Sequence, residues 1–165
     1  MKCKIPEKLK VAHTKFSFGA TSAIISNLGL ITGLQSLDHA KISIIGGILV
    51  IAIADNISDS FGIHMFRESE CLNTREIWFS TFTNFLTRIS VSASFIPLIL
   101  YFPLKAAIII SLVWGLLLLS FLSYSIARTE GRKPLWVIFE HLIIAVVVIF
   151  ASSIAGKWFT KTFSL

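Results

Sequence analysis

Apolar residues run along this chain in blocks long enough to cross a bilayer, and short polar stretches separate them. A spanning helix needs about 20 predominantly apolar residues. Five blocks meet that requirement, at roughly 16–34, 42–65, 77–102, 104–126 and 135–159. The breaks fall at Gln35–Lys41, Arg67–Glu76, Phe102-Pro103 and Arg128–Pro134. Pro103 and Pro134 suit the first turns of helices four and five, where a missing N–H costs nothing. The second helix is expected to continue beyond the bilayer to about residue 76, because 60–76 keeps helical propensity while turning charged. The pattern predicts an all-α, polytopic membrane protein, with one transmembrane domain over 1–165 and no separate soluble domain.

Composition agrees. Hydrophobic residues make up 55% of the chain, charged residues only 15%, and the mean hydropathy is +0.80. A soluble domain of 165 residues could not hide that much apolar surface, so the bilayer is the expected solvent and partner. A net charge of +6 could suggest nucleic acid, but the basic residues sit between the apolar blocks and at the ends. That placement is a topology signal, so no nucleic-acid partner is expected. The segments before helix one, between two and three, and between four and five carry ten Lys and Arg, against four on the opposite side. The count excludes Arg88, which falls inside helix three, and predicts a cytoplasmic N-terminus. The first apolar block lacks a small-residue cleavage pattern and is read as a retained helix. Trp78, Trp136 and Trp158 lie near helix ends, as interfacial tryptophans do, whereas Trp114 is mid-span and is expected to pack between helices. Cys3 and Cys71 form no CxxC or Cys/His spacing, and both are expected as free thiols on the cytoplasmic side.

Polar residues inside the blocks carry the candidate chemistry. Asp55 and Asp59 stand within the second block, four apart and therefore on one helix face. A carboxylate at bilayer depth costs at least about 2.5–3.5 kcal/mol, and two on one helix suit a buried cation or proton site. Glu70 follows Asp59 by eleven residues, close to three turns, so a line of carboxylates toward the cytoplasm is expected. Glu68 stands near it, equally suited to a solvated helix end. Helix one offers Ser22, Ser26, Gly29 and Gly33 on one face, which permits close helix approach or lines a path with hydroxyls. Asn56 adds an amide beside the aspartates. Helix three carries Asn84, Thr87 and Arg88 on one face. An arginine there needs a cavity or a carboxylate, and Asp55, Asp59 and Glu140 are the candidates. Its head could instead snorkel to the membrane edge. Glu140 and His141 are either interfacial residues or a proton-relay pair. His64 is at most a weak metal ligand, and His13 and His39 read as surface residues. There is no nucleotide fingerprint and no nucleophile–base motif, so neither a resident cofactor nor an enzyme is expected.

The chain resembles the vacuolar iron transporter family. The run Gly19-Ala20-Thr21-Ser22-Ala23-Ile24-Ile25-Ser26-Asn27-Leu28-Gly29-Leu30-Ile31-Thr32-Gly33 is similar to that family's first helix, with its G-x-x-D-G-[IL]-[VT]-[ST] opening. Ala54-Asp55-Asn56-Ile57-Ser58-Asp59-Ser60 sits where the family has S-M-A-x-G-E-Y, and Arg67-Glu68-Ser69-Glu70 is similar to its R-[DE]-[ST]-E. Ile96-Pro97-Leu98 and the Gly131-Arg132-Lys133-Pro134 turn also match in order. The resemblance implies five membrane helices, a homodimer with the path near its interface, a cytoplasmic N-terminus and export of Fe²⁺ or Mn²⁺ from the cytosol, often against a proton gradient. Under it, Asp55 and Asp59 are metal ligands, Ser22, Ser26 and Asn56 neutral oxygens, and Glu68 and Glu70 collectors at the mouth. The chain departs from the pattern in five respects. The family's helix-one acidic residue falls at Ser22, its helix-two methionine at Asp55 and its glutamate at Asp59. The cytosolic metal-binding insert is missing, and Arg88 has no counterpart. Replacing a thioether with a carboxylate tilts the expected preference toward harder ions such as Mn²⁺ or Mg²⁺. The competing expectation is a non-transporting membrane subunit with a permanent Asp–Arg pair.

Overall fold

The computed structural model describes residues 7–70 and 73–163, with side chains from residue 19 onward. Cys3 and Cys71 lie outside the described residues, as does the side chain of His13. Every element is helical: α1 (Glu7–Leu34), α2 (Ala40–Val50), a π-helical turn (Ile51–Asp55), α3 (Asn56–Ser69), α4 (Thr74–Tyr101), α5 (Leu104–Glu130) and α6 (Pro134–Phe163). Segments Ala40–Ser69, Thr74–Tyr101, Leu104–Glu130 and Pro134–Phe163 are each long and apolar enough to cross a membrane. The chain is thus an all-α, multi-pass membrane protein by length and composition. The apolar part of α1 within the described residues is the shorter stretch Gly19–Leu34.

The breaks follow local chemistry. The Asn73 side chain accepts from Arg75 N–H at 3.2 Å, capping α4 at its N-terminus. At the far end Phe102 is extended before Pro103, the conformation that a following proline favours. Gly131, at φ 70°, closes α5 in the left-handed conformation, and Arg132 N–H donates to Ala127 O at 3.0 Å. Lys41 reaches across to the end of α4, where its Nζ donates to Leu100 O at 2.8 Å and Phe102 O at 3.2 Å. The expected extension of the second helix to residue 76 is not observed. The helix stops at Ser69, Glu70 N–H bonds back to Phe66 O, and a new helix starts at Thr74. Propensity alone did not register the cap at Asn73.

Helix α1 lies at the centre and packs against α2, α4, α5 and α6. Ile24, Leu28, Ile31, Ile44, Ile48, Phe95 and Ile99 form the apolar core around it. The large side chains pointing outward are mostly apolar too, including Phe61, Phe82, Leu117, Phe121, Val147 and Phe150. An apolar exterior over an apolar core is the arrangement a lipid solvent demands. The small-residue face of α1 packs within the chain. A Cβ on Gly156 would fall 1.9 Å from Gly33 O, and one on Gly29 would lie 3.1 Å from Ser152 Oγ. Backbones of α1 and α6 therefore meet where only glycine permits it.

The π-helical turn corrects the phase of the segment Ala40–Ser69. Its buried positions are Ala40, Ile44, Ile48, Ala52, Asn56 and Ser60, spaced by four throughout. A step of four overshoots one α-turn by about 40°, so an unbroken α-helix would carry this stripe steadily off its partner. One wider turn takes up part of that drift. It leaves Asp55 and Asp59 on the flank of the stripe, at the middle of the segment.

Candidate ion site

Asp55 closes the π-helical turn and Asp59 lies in the first turn of α3, so both project from the middle of Ala40–Ser69. Arg88 rises from α4 opposite them. Its Nη2 donates to Asp55 Oδ2 and its Nη1 to Asp59 Oδ2, so one guanidinium bridges two carboxylates. Ser22 of α1 donates its hydroxyl to the same Asp59 oxygen at 3.1 Å. Three helical segments thus converge on one charged cluster. The guanidinium is buried, with its side chain 1% exposed, whereas the Asp55 and Asp59 side chains are 44% and 34% exposed. The cluster is therefore asymmetric, with the cation inside and the carboxylates toward the surface. Among the described residues no other group donates to either carboxylate, and each Oδ1 has no protein partner. With all three groups ionised the cluster carries a formal charge of −1.

A shell of amides and hydroxyls holds the cluster in place. Asn56 Nδ2 donates to Phe85 O at 2.9 Å, and Ser60 Oγ donates to Asn56 Oδ1 at 3.3 Å. Asn84 Nδ2 in turn donates to Ser60 Oγ at 3.1 Å. These contacts tie α3 to α4 about one turn before Arg88. Asn27 Nδ2 donates to Ser92 Oγ at 2.9 Å, which ties α1 to α4 one turn after it. Asn56 is nearly fully buried and turned to α4, so its amide serves this shell and not the carboxylate surface.

Other expected site residues stand elsewhere. Ser26 lines an open, mostly apolar groove of about 830 Å³ beside Gly29, Ile51 and Ser152, one turn away from Ser22. Glu70 ends α3 and pairs with Arg67 at 2.8 Å on an exposed surface, while Glu68 is exposed nearby. Neither reaches the aspartates. Glu140 pairs with Arg132 at 3.3 Å, and His141 Nδ1 lies 2.7 Å from Ser123 Oγ. The two neighbours thus engage different groups and form no relay with one another. His64 contacts Thr81 Oγ1 at 3.1 Å and the Trp78 ring edge-on. Trp114 is corrected: it is 39% exposed, and its indole N–H donates to Ser94 at 3.1 Å along the outside of α4 and α5. An indole needs one acceptor, and Ser94 supplies it without burial of the ring.

Arg88 was expected to meet a carboxylate, and it meets two at once. Snorkelling is ruled out by its burial. Ser80, Ser92 and Ser60, all buried, escaped notice because a single serine in an apolar helix carries no signal of its own. Their spacing of four from Asn84, Arg88 and Asn56 was the available clue. Among the described residues no three His, Cys, Asp or Glu side chains gather in one place. A cation bound here would have two carboxylates and the Ser22 hydroxyl from the protein, with its other positions left to water. The chain matches no protein-family model, no curated protein and no solved structure.

Proposed function

We propose that the chain is a small membrane transporter for a divalent metal ion of the Fe²⁺ or Mn²⁺ class, moving it out of the cytosol in exchange for protons. One observation carries this reading. A single buried guanidinium bridges two carboxylates that remain partly exposed in the middle of a membrane segment. A residual charge of −1 is unfavourable at bilayer depth. One proton on the pair brings the cluster to neutrality with Arg88 in place. A divalent cation does the same only if Arg88 swings away, since two carboxylates then match two positive charges. The proton-loaded state holds one proton with Arg88 on the carboxylates, and the metal-loaded state holds the ion with Arg88, still charged, moved off them. Arg88 is the tethered occupant that the metal displaces. Five membrane helices, a cytoplasmic N-terminus and a homodimer belong to the same reading, as does the resemblance to the vacuolar iron transporters.

The direct test is flux in reconstituted vesicles. Asp59→Asn is expected to abolish Mn²⁺ flux while the protein remains folded. Undiminished flux in that variant would remove Asp59 from the site.

A second reading, a non-transporting membrane subunit on the same scaffold, is favoured by a specific observation. Both carboxylates are already held by Arg88, and no three-ligand group exists among the described residues. A bound ion raises apparent stability by mass action, about 2.7 kcal/mol at one hundred times its dissociation constant. Unchanged melting with Fe²⁺, Mn²⁺, Co²⁺ and Zn²⁺, in wild type and in Arg88→Met alike, would decide for the subunit.

A further inference from the structure

Helix α4 carries Ser80, Asn84, Arg88 and Ser92 at intervals of four, and all are buried. Residues so spaced share one helix face. At about 1.5 Å per residue the stripe is roughly 18 Å long, more than half the thickness of a hydrocarbon core. Opposite it stand Asn27 on α1 and Asn56 and Ser60 on α3, joined to it by the bonds Asn27–Ser92, Asn84–Ser60 and Asn56–Phe85 O.

The stripe is polar but not saturated. Of six fully buried side-chain atoms with no hydrogen-bond partner among the described residues, four lie here (Ser80 Oγ, Asn84 Oδ1, Arg88 Nε and Asn27 Oδ1), and two, Ser36 Oγ and Ser111 Oγ, lie elsewhere. A buried polar atom without a partner costs about 1–3 kcal/mol, and native proteins rarely leave even one such group unpaired. Four along a single seam require a common ligand. Its chemistry is fixed by the atoms that await it. Asn84 and Asn27 present carbonyl acceptors, Arg88 Nε presents a donor, and Ser80 presents a hydroxyl able to do either. An anion would meet the Asp55 and Asp59 carboxylates, and a cation would meet the Arg88 N–H. A small neutral molecule that both donates and accepts satisfies all four, and that molecule is water.

We propose that this seam binds a file of water molecules that reaches the Asp55–Arg88–Asp59 cluster from the end of the bundle where α4 begins. At that end His64 and Thr81 form a part-buried polar pair. Beyond Ser92 the polar residues give way to Phe95 and Ile99 of α4 and to Ile44 and Ile48 of α2, all fully buried. The file is therefore open on one side and sealed by side-chain packing on the other. It gives protons one-sided access to the carboxylates, because water chains pass a proton from molecule to molecule while apolar packing does not.

Thiol chemistry tests it. In a Cys3→Ser/Cys71→Ser background, single cysteines are introduced as Ser80→Cys, Ser60→Cys and Ser92→Cys. Ala145→Cys serves as the reference, since Ala145 is equally buried but lies in the apolar core on α6, off the seam. Sealed vesicles of known orientation are exposed to Ag⁺, and surviving thiols are counted with a maleimide after denaturation. The seam cysteines are expected to react at least about tenfold faster than Ala145→Cys, because an ionised thiol in contact with water is the reactive form. The reaction is expected only when Ag⁺ is added on the side where α4 begins. Rates no faster than that of Ala145→Cys would show a dry seam and overturn the proposal. Equal rates from both sides would overturn the sealed end. Three positions report independently, so a variant that fails to fold leaves the other two to decide.

Discussion

Removing Arg88 tests the charge arrangement most directly. Arg88→Met keeps a long, unbranched apolar chain in the space and deletes the positive charge, taking the formal charge of the cluster from −1 to −2. Breaking a buried ion pair by removing one partner costs about 3–5 kcal/mol. The carboxylates here are 44% and 34% exposed, so the lower end of that range applies, about 3 kcal/mol. For a chain of this size each kcal/mol moves the melting point by about 2–4 °C, so a drop of about 6–12 °C is expected. Asp59→Asn takes the charge the other way, to zero, and leaves Arg88 paired with Asp55. Its loss is that of one charge-assisted bond, which the 34% exposure of Asp59 weakens to about 1–2 kcal/mol, and hence about one- to two-thirds of the shift. Combining Arg88→Met with Asp55→Asn and Asp59→Asn removes all three charges and is expected to recover most of the loss. Thermal unfolding of the purified variants in detergent, followed by tryptophan fluorescence, reads all of these. The reasoning is refuted if Arg88→Met melts no lower than Asp59→Asn, or if the triple variant melts lower than Arg88→Met. Mn²⁺ adds a functional reading on the same samples. It should stabilise Arg88→Met more than wild type, because the internal competitor is gone.

Three further outcomes follow from the packing. Gly156→Ala places a methyl group 1.9 Å from Gly33 O, so α1 and α6 must separate, and a loss of about 1–3 kcal/mol is expected in the same melting assay. Gly46→Ala and Gly62→Ala meet nothing within 4 Å and gain helix propensity, so both are expected to be neutral or to stabilise by up to about 1 kcal/mol. Lys41→Met removes a charge from the last carbonyls of α4, and a loss of at most about 1 kcal/mol is expected, measured as faster amide exchange near Leu100 and Tyr101.

Much of this architecture was legible from hydropathy. The helices over 104–126 and 135–159 are close to the observed Leu104–Glu130 and Pro134–Phe163, because Pro103 and Pro134 mark their starts chemically. Asp55, Asp59 and Arg88 stood out because each is too costly in lipid to be filler. The sequence did not disclose that one guanidinium would hold both carboxylates, since that depends on the level at which α4 passes α3. The close meeting of α1 and α6 was half visible. Gly29 and Gly33 announced a contact surface, but Gly156 lies over a hundred residues away and nothing local names it as their partner. Glu70 pairs with Arg67, three residues before it, a partner that the sequence analysis did not weigh against the carboxylate line.

The widened turn at Ile51–Asp55 has a mechanical consequence for the two halves of its segment. It is an offset coupling: the half before it is clocked to the apolar core, the half after it to the charged cluster. Deleting one residue there would leave the aspartates engaged with Arg88 while rotating Ile44 and Ile48 by about 100° out of the core. The two halves cannot both stay seated without it, so this one loop of backbone synchronises the greasy plug with the acidic socket.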